Sequence, residues 1–320
     1  MTIRIITNYN CNLGCSYCFE QHLWNKKEVI TSEELKDILD FYKNIDNEVM
    51  LLGGEPTLHP QFLKLVAVLK SYPKNINYLL TNGIFSPAYQ DAIIENFKLI
   101  LININEPSKY SKTNWTILEE NLKVLAQDTG GVKVQLGVNL YDKNQRLEYL
   151  IPFFTGFQLF KELRVAFANP NHCFTNNYVD LAKMKEIAPL FMGLVAMAHF
   201  YGFTIKADCP IPLCVFSSDD LKNVGNYISN FNFASCKGAY TFFPGLKVGH
   251  CFASFPDLYD FKSFRNIEEL EYKILEKESQ LDTIASFSEC EKCFFWQQKV
   301  CKGVCLAYKI KIMNQMKNEK

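Results

Sequence analysis

Six short apolar runs, rich in β-branched and aliphatic residues, recur over the first two-thirds of the chain at 4–7, 49–52, 77–81, 99–104, 133–140 and 162–168. Helical patterns separate them. Thr31 and Glu34 form a capping box ahead of Leu35, Ile38, Leu39 and Tyr42, Ser86-Pro87 opens a second helix, and Thr113 or Asn114 opens a third carrying Ile117, Leu118, Leu122 and Leu125. Strands alternating with helices imply parallel pairing through right-handed crossovers, either as an open sheet or as a full or partial barrel. In both arrangements the reactive site lies where the strands' carboxyl ends meet the following loops.

Those loops hold the chemically suggestive residues. Directly after the first run stand Cys11, Cys15 and Cys18, with gaps of three and two residues. Three thiolates on one loop, without a fourth nearby, suit an iron–sulfur cluster with one metal site open. A closed structural zinc site needs four ligands, and the nearest histidine, His22, extends the spacing poorly. After the second run comes Gly53-Gly54-Glu55-Pro56, after the third Asn82-Gly83, and at the fourth Asn103 and Asn105; Asn139 ends the fifth. Read alone, the tetrapeptide is also an ordinary tight strand-to-helix turn.

Composition sets outer bounds. With 48% apolar residues in 320, the chain can build one sizeable core and a smaller module. Lys+Arg and Asp+Glu are both 34, so no bulk field favours nucleic acid or an anionic membrane. The longest apolar stretch, 188–203, contains Pro189 and His199 and reads as a buried helix rather than a membrane span. No secretory segment opens the chain, so the twelve cysteines are expected to stay reduced in the cytoplasm rather than form a disulfide framework.

From about Lys206 the strand–helix rhythm fails, and eight of the twelve cysteines lie beyond it, at 209, 214, 236, 251, 290, 293, 301 and 305. This divides the chain into an expected barrel, 1–205, and a metal-stapled module with little core of its own, 206–320. The lysine-rich tail after Ile312 reads as a frayed helix end.

Cys11-x3-Cys15-x2-Cys18, with Tyr17 before the third cysteine, followed by Gly53-Gly54-Glu55-Pro56, resembles the radical S-adenosylmethionine (SAM) superfamily over at least residues 3–205. The resemblance implies a partial (β/α)6 TIM-like barrel and a [4Fe-4S] cluster on Cys11, Cys15 and Cys18. Its open iron would take the amino and carboxylate groups of S-adenosylmethionine, whose reductive cleavage gives a 5′-deoxyadenosyl radical that abstracts hydrogen from substrate. By the same resemblance, Gly53, Gly54, Glu55 and Pro56 bind the cofactor, with Glu55 and the carbonyls around the glycines accepting from its ammonium. Asn82, Asn103, Asn105 and Asn139 are candidates for its ribose or carboxylate, and 165–168 for its adenine. Each single asparagine is equally readable as a strand-end residue satisfying its own loop.

The later cysteines are similar to the SPASM extension of radical enzymes, which holds auxiliary [4Fe-4S] clusters. The match departs from the pattern: the gap before Cys301 is long, Gly245 is one residue displaced, and a closing cysteine is absent. With Cys209 and Cys214 lending ligands, the division reads Cys214, Cys236, Cys251 and Cys305 for one cluster and Cys209, Cys290, Cys293 and Cys301 for the other; loss of one cluster, as in the shorter twitch variant, stays open. Four thiolates per cubane give roughly twelve irons per chain with both auxiliary clusters and roughly eight with one. Zinc on Cys290, Cys293, Cys301 and Cys305 is the alternative. Cys173, beside His172, is left over as a core or loop thiol.

The function this implies is oxidative modification of a peptide or protein: a thioether or carbon–carbon crosslink, or side-chain oxidation, with a flavodoxin- or ferredoxin-like reductant. Because the first strand starts at about Ile3, a separate leader-binding protein or leader-free recognition is expected. A small-molecule or cofactor-precursor substrate is the alternative reading. A non-catalytic zinc-stapled binding module is a third. No catalytic acid or base is assigned, since no motif surrounds the five histidines or sixteen tyrosines.

Overall fold

A computed structural model describes residues 1–127, 131–229, 236, 239–252 and 257–318. Strands β1 (Thr2–Ile6), β2 (Glu48–Leu52), β3 (Ile76–Thr81), β4 (Leu99–Asn103), β5 (Lys133–Leu140), β6 (Glu162–Phe167) and β7 (Thr204–Ala207) pair in sequence order, all parallel. Helices α1 (Ser32–Phe41), α2 (Phe62–Lys70), α3 (Gln90–Asn96), α4 (Lys112–Leu125), α5 (Ile151–Gly156) and α6 (Met184–Tyr201) fall between them. The six expected strands and the alternation are present, and the fold is a mostly parallel α/β sheet matching a partial TIM-like barrel.

Local chemistry sets the helix starts. The Thr31–Glu34 capping box forms as expected, and Leu35, Ile38 and Leu39 are buried along one face of α1. The cap of α4 is Ser111, whose hydroxyl accepts the Asn114 N–H at 3.1 Å, two residues upstream of the expected start. The helix expected over 188–203 begins earlier, at Met184, and Gly202 ends it in the left-handed region at φ 69°. No helix among the described residues is long and apolar enough to cross a membrane.

The strand rhythm persists past the expected boundary, which falls inside β7. Beyond it, α7 (Ser218–Val224) leads towards β8 (Tyr240–Phe243), which joins the other side of β1 in parallel, matching Ile3 with Tyr240 and Ile5 with Phe242. Antiparallel β9 (Lys247–Gly249) and β10 (Tyr259–Asp260) finish a ten-stranded sheet of order β10-β9-β8-β1-β2-β3-β4-β5-β6-β7.

Three more helices follow: α8 (Ile267–Asp282), α9 (Phe294–Gln297) and α10 (Leu306–Asn318). The C-terminal segment, expected to have little core of its own, shares the core of the barrel. Leu270, Ile274, Val304 and Tyr308 belong to the same buried cluster as Ile3, Leu51 and Val165. Tyr308, 1% exposed, donates its hydroxyl to the Val179 carbonyl at 2.5 Å and so ties α10 to the barrel. Lys309 reaches Asp282 of α8 at 3.3 Å. The segment is continuous with the barrel because β8 fills the edge that β1 would otherwise expose.

Candidate functional site

The cysteine loop leaves β1 and is fastened to the turn after β2. Gly54 N–H donates to the Asn8 carbonyl at 2.8 Å, Glu55 N–H to that of Asn10 at 2.7 Å, and Asn8 Nδ2 to the Glu55 carbonyl at 3.0 Å. The two chains lie too close for side chains between them. A Cβ on Gly53 would stand 2.5 Å from the Asn8 oxygen, and one on Gly54 2.1 Å from that of Asn10. Both glycines thus allow the turn to lie against the cysteine loop, and both line a cavity of about 300 Å³ at the strands' carboxyl ends.

Glu55 is turned away from that cavity. It is wholly buried, and its carboxyl oxygens accept from Thr57 N–H (3.1 Å), the hydroxyls of Thr57 (2.6 Å) and Thr81 (2.8 Å), and Asn82 N–H (2.8 Å). Burial pushes its pKa up; the donors of Asn82, Thr57 and Thr81 pull it back. A carboxyl without access to water needs such donors, and here the chain supplies them all. The carboxyl expected to accept from the cofactor's ammonium is thus engaged by the chain's own donors, and Glu55 is not among the residues lining the cavity. Pro56 begins a buried 3-10 turn over Pro56–Leu58.

Cys11, Cys15 and Cys18 share the cavity wall with Asn82, Asn103 and Asn139. The asparagines are committed to two hydrogen-bonded sets, one around Asn82 and one around Tyr17. Asn82 Nδ2 lies 3.7 Å from Cys11 Sγ and donates to Asn12 Oδ1 at 2.8 Å. Asn105 does not line the cavity; its Nδ2 lies 3.5 Å from Cys15 Sγ, and its Oδ1 accepts from the Tyr17 hydroxyl. Asn103 Nδ2 donates to the Tyr17 hydroxyl at 2.9 Å, and Asn139 Nδ2 to Asn103 Oδ1 at 2.8 Å. Ala166 and Ala168, within the stretch expected beside adenine, also line the cavity.

The same cavity is also lined by Cys209, Cys251 and Cys305. The thiols of Cys209 and Cys305 are hydrogen-bonded, and Cys236 and Cys251 lie within electrostatic reach of Cys305. Cys214 instead lies near Cys301 and Cys290, which share with Cys293 the segment between α8 and α10. The division expected from sequence placed Cys214 with Cys305 and Cys209 with Cys290 and Cys301, whereas here Cys209 lies beside Cys305 and Cys214 near Cys301 and Cys290. Cys209 adopts φ 66°, in the left-handed region. Cys173 is exposed, and the rings of His22 and His172 stand 6.1 Å apart.

Sequence reading missed Arg4 and Arg164, both lining this cavity, and Asp208 beside them. Their signal was present, since Arg164 stands between Leu163 and Val165 in an otherwise apolar parallel strand. Burial raises Asp208, but the Arg164 guanidinium, with Arg4 and Lys206, holds it down at about 2.

The donor set fits the iron–sulfur cofactor. Desolvation pushes the bare Cys11 and Cys236 thiols up to about 12 and raises those of Cys15 and Cys18, so cationic metal is what would keep this group ionised. No three or more His, Cys, Asp or Glu side chains among the described residues converge on a single ion. Thiolates spread around a cavity suit a polyatomic cluster better than one zinc.

A parallel partial barrel with this loop at its mouth defines a class of protein, and comparison names it: residues 5–127 match the radical SAM superfamily, so the chain carries a radical SAM domain. The cofactors of that superfamily are S-adenosylmethionine and a [4Fe-4S] cluster. Nearly the whole chain shares its fold with SuiB of Streptococcus suis, solved with S-adenosylmethionine (TM-score 0.69, 15% identity, 97% of this chain and 74% of that one). SuiB has also been solved with the precursor peptide SuiA (TM-score 0.70, 14% identity, 97% of this chain and 72% of that one). The structure of anSMEcpe with bound AdoMet is similar too (TM-score 0.67, 17% identity, 95% of this chain and 88% of that one). Among curated proteins, a probable GTP 3',8-cyclase of Pyrococcus horikoshii is 26% identical over 132 residues. That match spans 40% of this chain and 42% of the relative.

Proposed function

We propose that the chain is a radical SAM enzyme that oxidatively modifies a peptide or protein, forming a crosslink or oxidising a side chain. The observation that carries this reading is the cavity itself, which Cys11, Cys15 and Cys18 line together with Cys209, Cys251 and Cys305. A second redox group at the same cavity suits net oxidation, which needs an acceptor for the electron left on the substrate. The fold shared with SuiB, which binds a precursor peptide, supports the substrate class.

In this reading Cys11, Cys15 and Cys18 hold the SAM-binding cluster. Cys209, Cys236, Cys251 and Cys305 hold one auxiliary cluster, and Cys214, Cys290, Cys293 and Cys301 a second, within an auxiliary segment 206–320. Bound there, cluster and S-adenosylmethionine together supply a one-electron route to hydrogen abstraction from the substrate. The chain's own residues prepare that site. The amides of Asn82 and Asn105 point N–H groups at the sulfurs of Cys11 and Cys15, which favours their ionised form and tunes the potential. Tyr17 locks Asn103 and Asn105 in place, and Gly53 and Gly54 leave backbone rather than side chains against the cavity. A small-molecule substrate is the second reading, favoured by the cyclase relatives.

The test is co-expression with the short peptides encoded beside the gene, followed by mass spectrometry. Loss of two hydrogens from one peptide supports the proposal; unchanged masses for all of them refute the peptide reading. Replacing Cys11, Cys15 and Cys18 by Ala is expected to abolish reductive cleavage of S-adenosylmethionine while auxiliary iron remains, and persisting cleavage refutes the assignment.

A further inference from the structure

Cys209 is a non-glycine residue at φ 66°, and it is followed by Pro210. Both facts oppose the conformation: a Cβ disfavours the left-handed region, and a following proline favours extended backbone. Something must hold this residue, and the holder is visible. Asp208 Oδ1 accepts the Cys209 N–H at 3.1 Å, while Asp208 Oδ2 takes Arg164 Nε at 2.8 Å and Nη2 at 2.7 Å. Two guanidinium nitrogens on one carboxylate fix its direction. The turn so held sends the Cys209 thiol to that of Cys305.

The same guanidinium faces the other way as well. Arg164 Nη1 donates to Asn139 Oδ1 at 2.9 Å, and Asn139 continues through Asn103 to the Tyr17 hydroxyl, between Cys15 and Cys18 in sequence. One side chain on β6 therefore braces both thiol sets across the cavity.

We propose that Arg164 and Asp208 form a positioning pair that aims Cys209 into the auxiliary cluster and ties that cluster to the loop of the SAM-binding one. The proposal rests on the auxiliary-cluster reading above. Neither residue is assigned a chemical step; both act through Cys209 and Asn139.

The test uses full-length protein reconstituted anaerobically with iron and sulfide, read by iron content, electron paramagnetic resonance and the midpoint potential of the auxiliary signal. Asp208→Ala and Arg164→Met are each expected to shift the auxiliary signal and its potential, or to lose about four irons per chain, the loss also expected of Cys209→Ala. The double variant should be no worse than either single one, because both break one device. Arg164→Lys, which keeps the charge but not the fork, should recover part of the shift. Should Asp208→Ala not fold, Asp208→Asn is read in its place, since it keeps the shape and loses the ion pair. Wild-type spectra, potential and iron content in that variant overturn the pair. Wild-type protein holding only about four irons overturns the auxiliary reading and the pair with it, so the two failures are distinct.

Discussion

Glu55→Gln separates a carboxyl that binds cofactor from one that holds the site together. In the structure both oxygens of Glu55 accept, and two of their donors, Thr57 N–H and Asn82 N–H, are backbone groups that cannot reverse. A glutamine offers one acceptor oxygen. Whichever way it turns, its NH2 meets one backbone N–H, so at least one hydrogen bond to a buried group is lost and two donors are forced together. Losing one hydrogen bond to a charged group, with its donor left unsatisfied, costs about 3 kcal/mol. With an unfolding entropy of about 2.1 cal/mol/K per residue over 320 residues, that lowers Tm by about 4–5 °C. The assay is anaerobic thermal unfolding beside calorimetric titration of S-adenosylmethionine. The expected result is a lower Tm with cofactor affinity changed by less than about tenfold, since Asn82 shifts only slightly. An unchanged Tm with affinity lost by a hundredfold or more would refute this reasoning and return Glu55 to direct contact with the cofactor.

Gly54→Ala places a Cβ against the Asn10 carbonyl, which is backbone and cannot swing aside. The cysteine loop must move, and we expect S-adenosylmethionine cleavage to fall about a hundredfold, the scale of a 1 Å misplacement; cleavage at the wild-type rate refutes the close packing. Tyr308→Phe removes the donor to the Val179 and Ala168 carbonyls and should cost about 1–3 kcal/mol in denaturant unfolding without changing iron content. His59 is buried and neutral, its Nδ1 accepting from Gln61 N–H at 3.0 Å and its Nε2 donating to the Ile30 carbonyl at 2.8 Å. Burial holds its pKa below the ordinary 6.5, so its contribution to stability is complete above about pH 6.5 and is lost as pH falls through the lower folded value. Denaturation midpoints taken from pH 7.5 to 5 should decline less steeply in His59→Gln, and equal slopes would refute the assignment.

The sequence made the first six strands legible because each is a short apolar run bounded by a cap or a turn, whereas β7, only Thr204–Ala207 and half exposed, was not read as one. The run expected over 133–140 is β5 to the residue. What escaped was long-range. Four residues, Tyr240–Phe243, carry no mark of their partner, and β8 finds β1 more than 230 positions upstream. The site divides in the same way. The three-cysteine loop is a local pattern and was visible as such, whereas the inward turn of Glu55 depends on Thr81 and Asn82, 26 and 27 positions away. Cysteine spacing gave the inventory of the C-terminal thiols, but the left-handed turn at Cys209 decided which of two neighbours faces Cys305, and that turn depends on an arginine 44 positions upstream of Asp208.

The pairing of β8 with β1 also fixes an order of events during synthesis. β1 is made before the strands it pairs with, and one of its edges is satisfied by β2 once residue 52 is made. The other waits for Tyr240–Phe243, nearly two hundred residues later. For most of translation the strand that carries the cysteine loop is half-paired, with an open row of amides and carbonyls beside thiols that bind metal. A chain stopped before residue 240 would expose that edge permanently, so truncation at this point should yield insoluble protein rather than a smaller working barrel. Delivery of iron to Cys11, Cys15 and Cys18 is best timed after the last third of the chain has arrived.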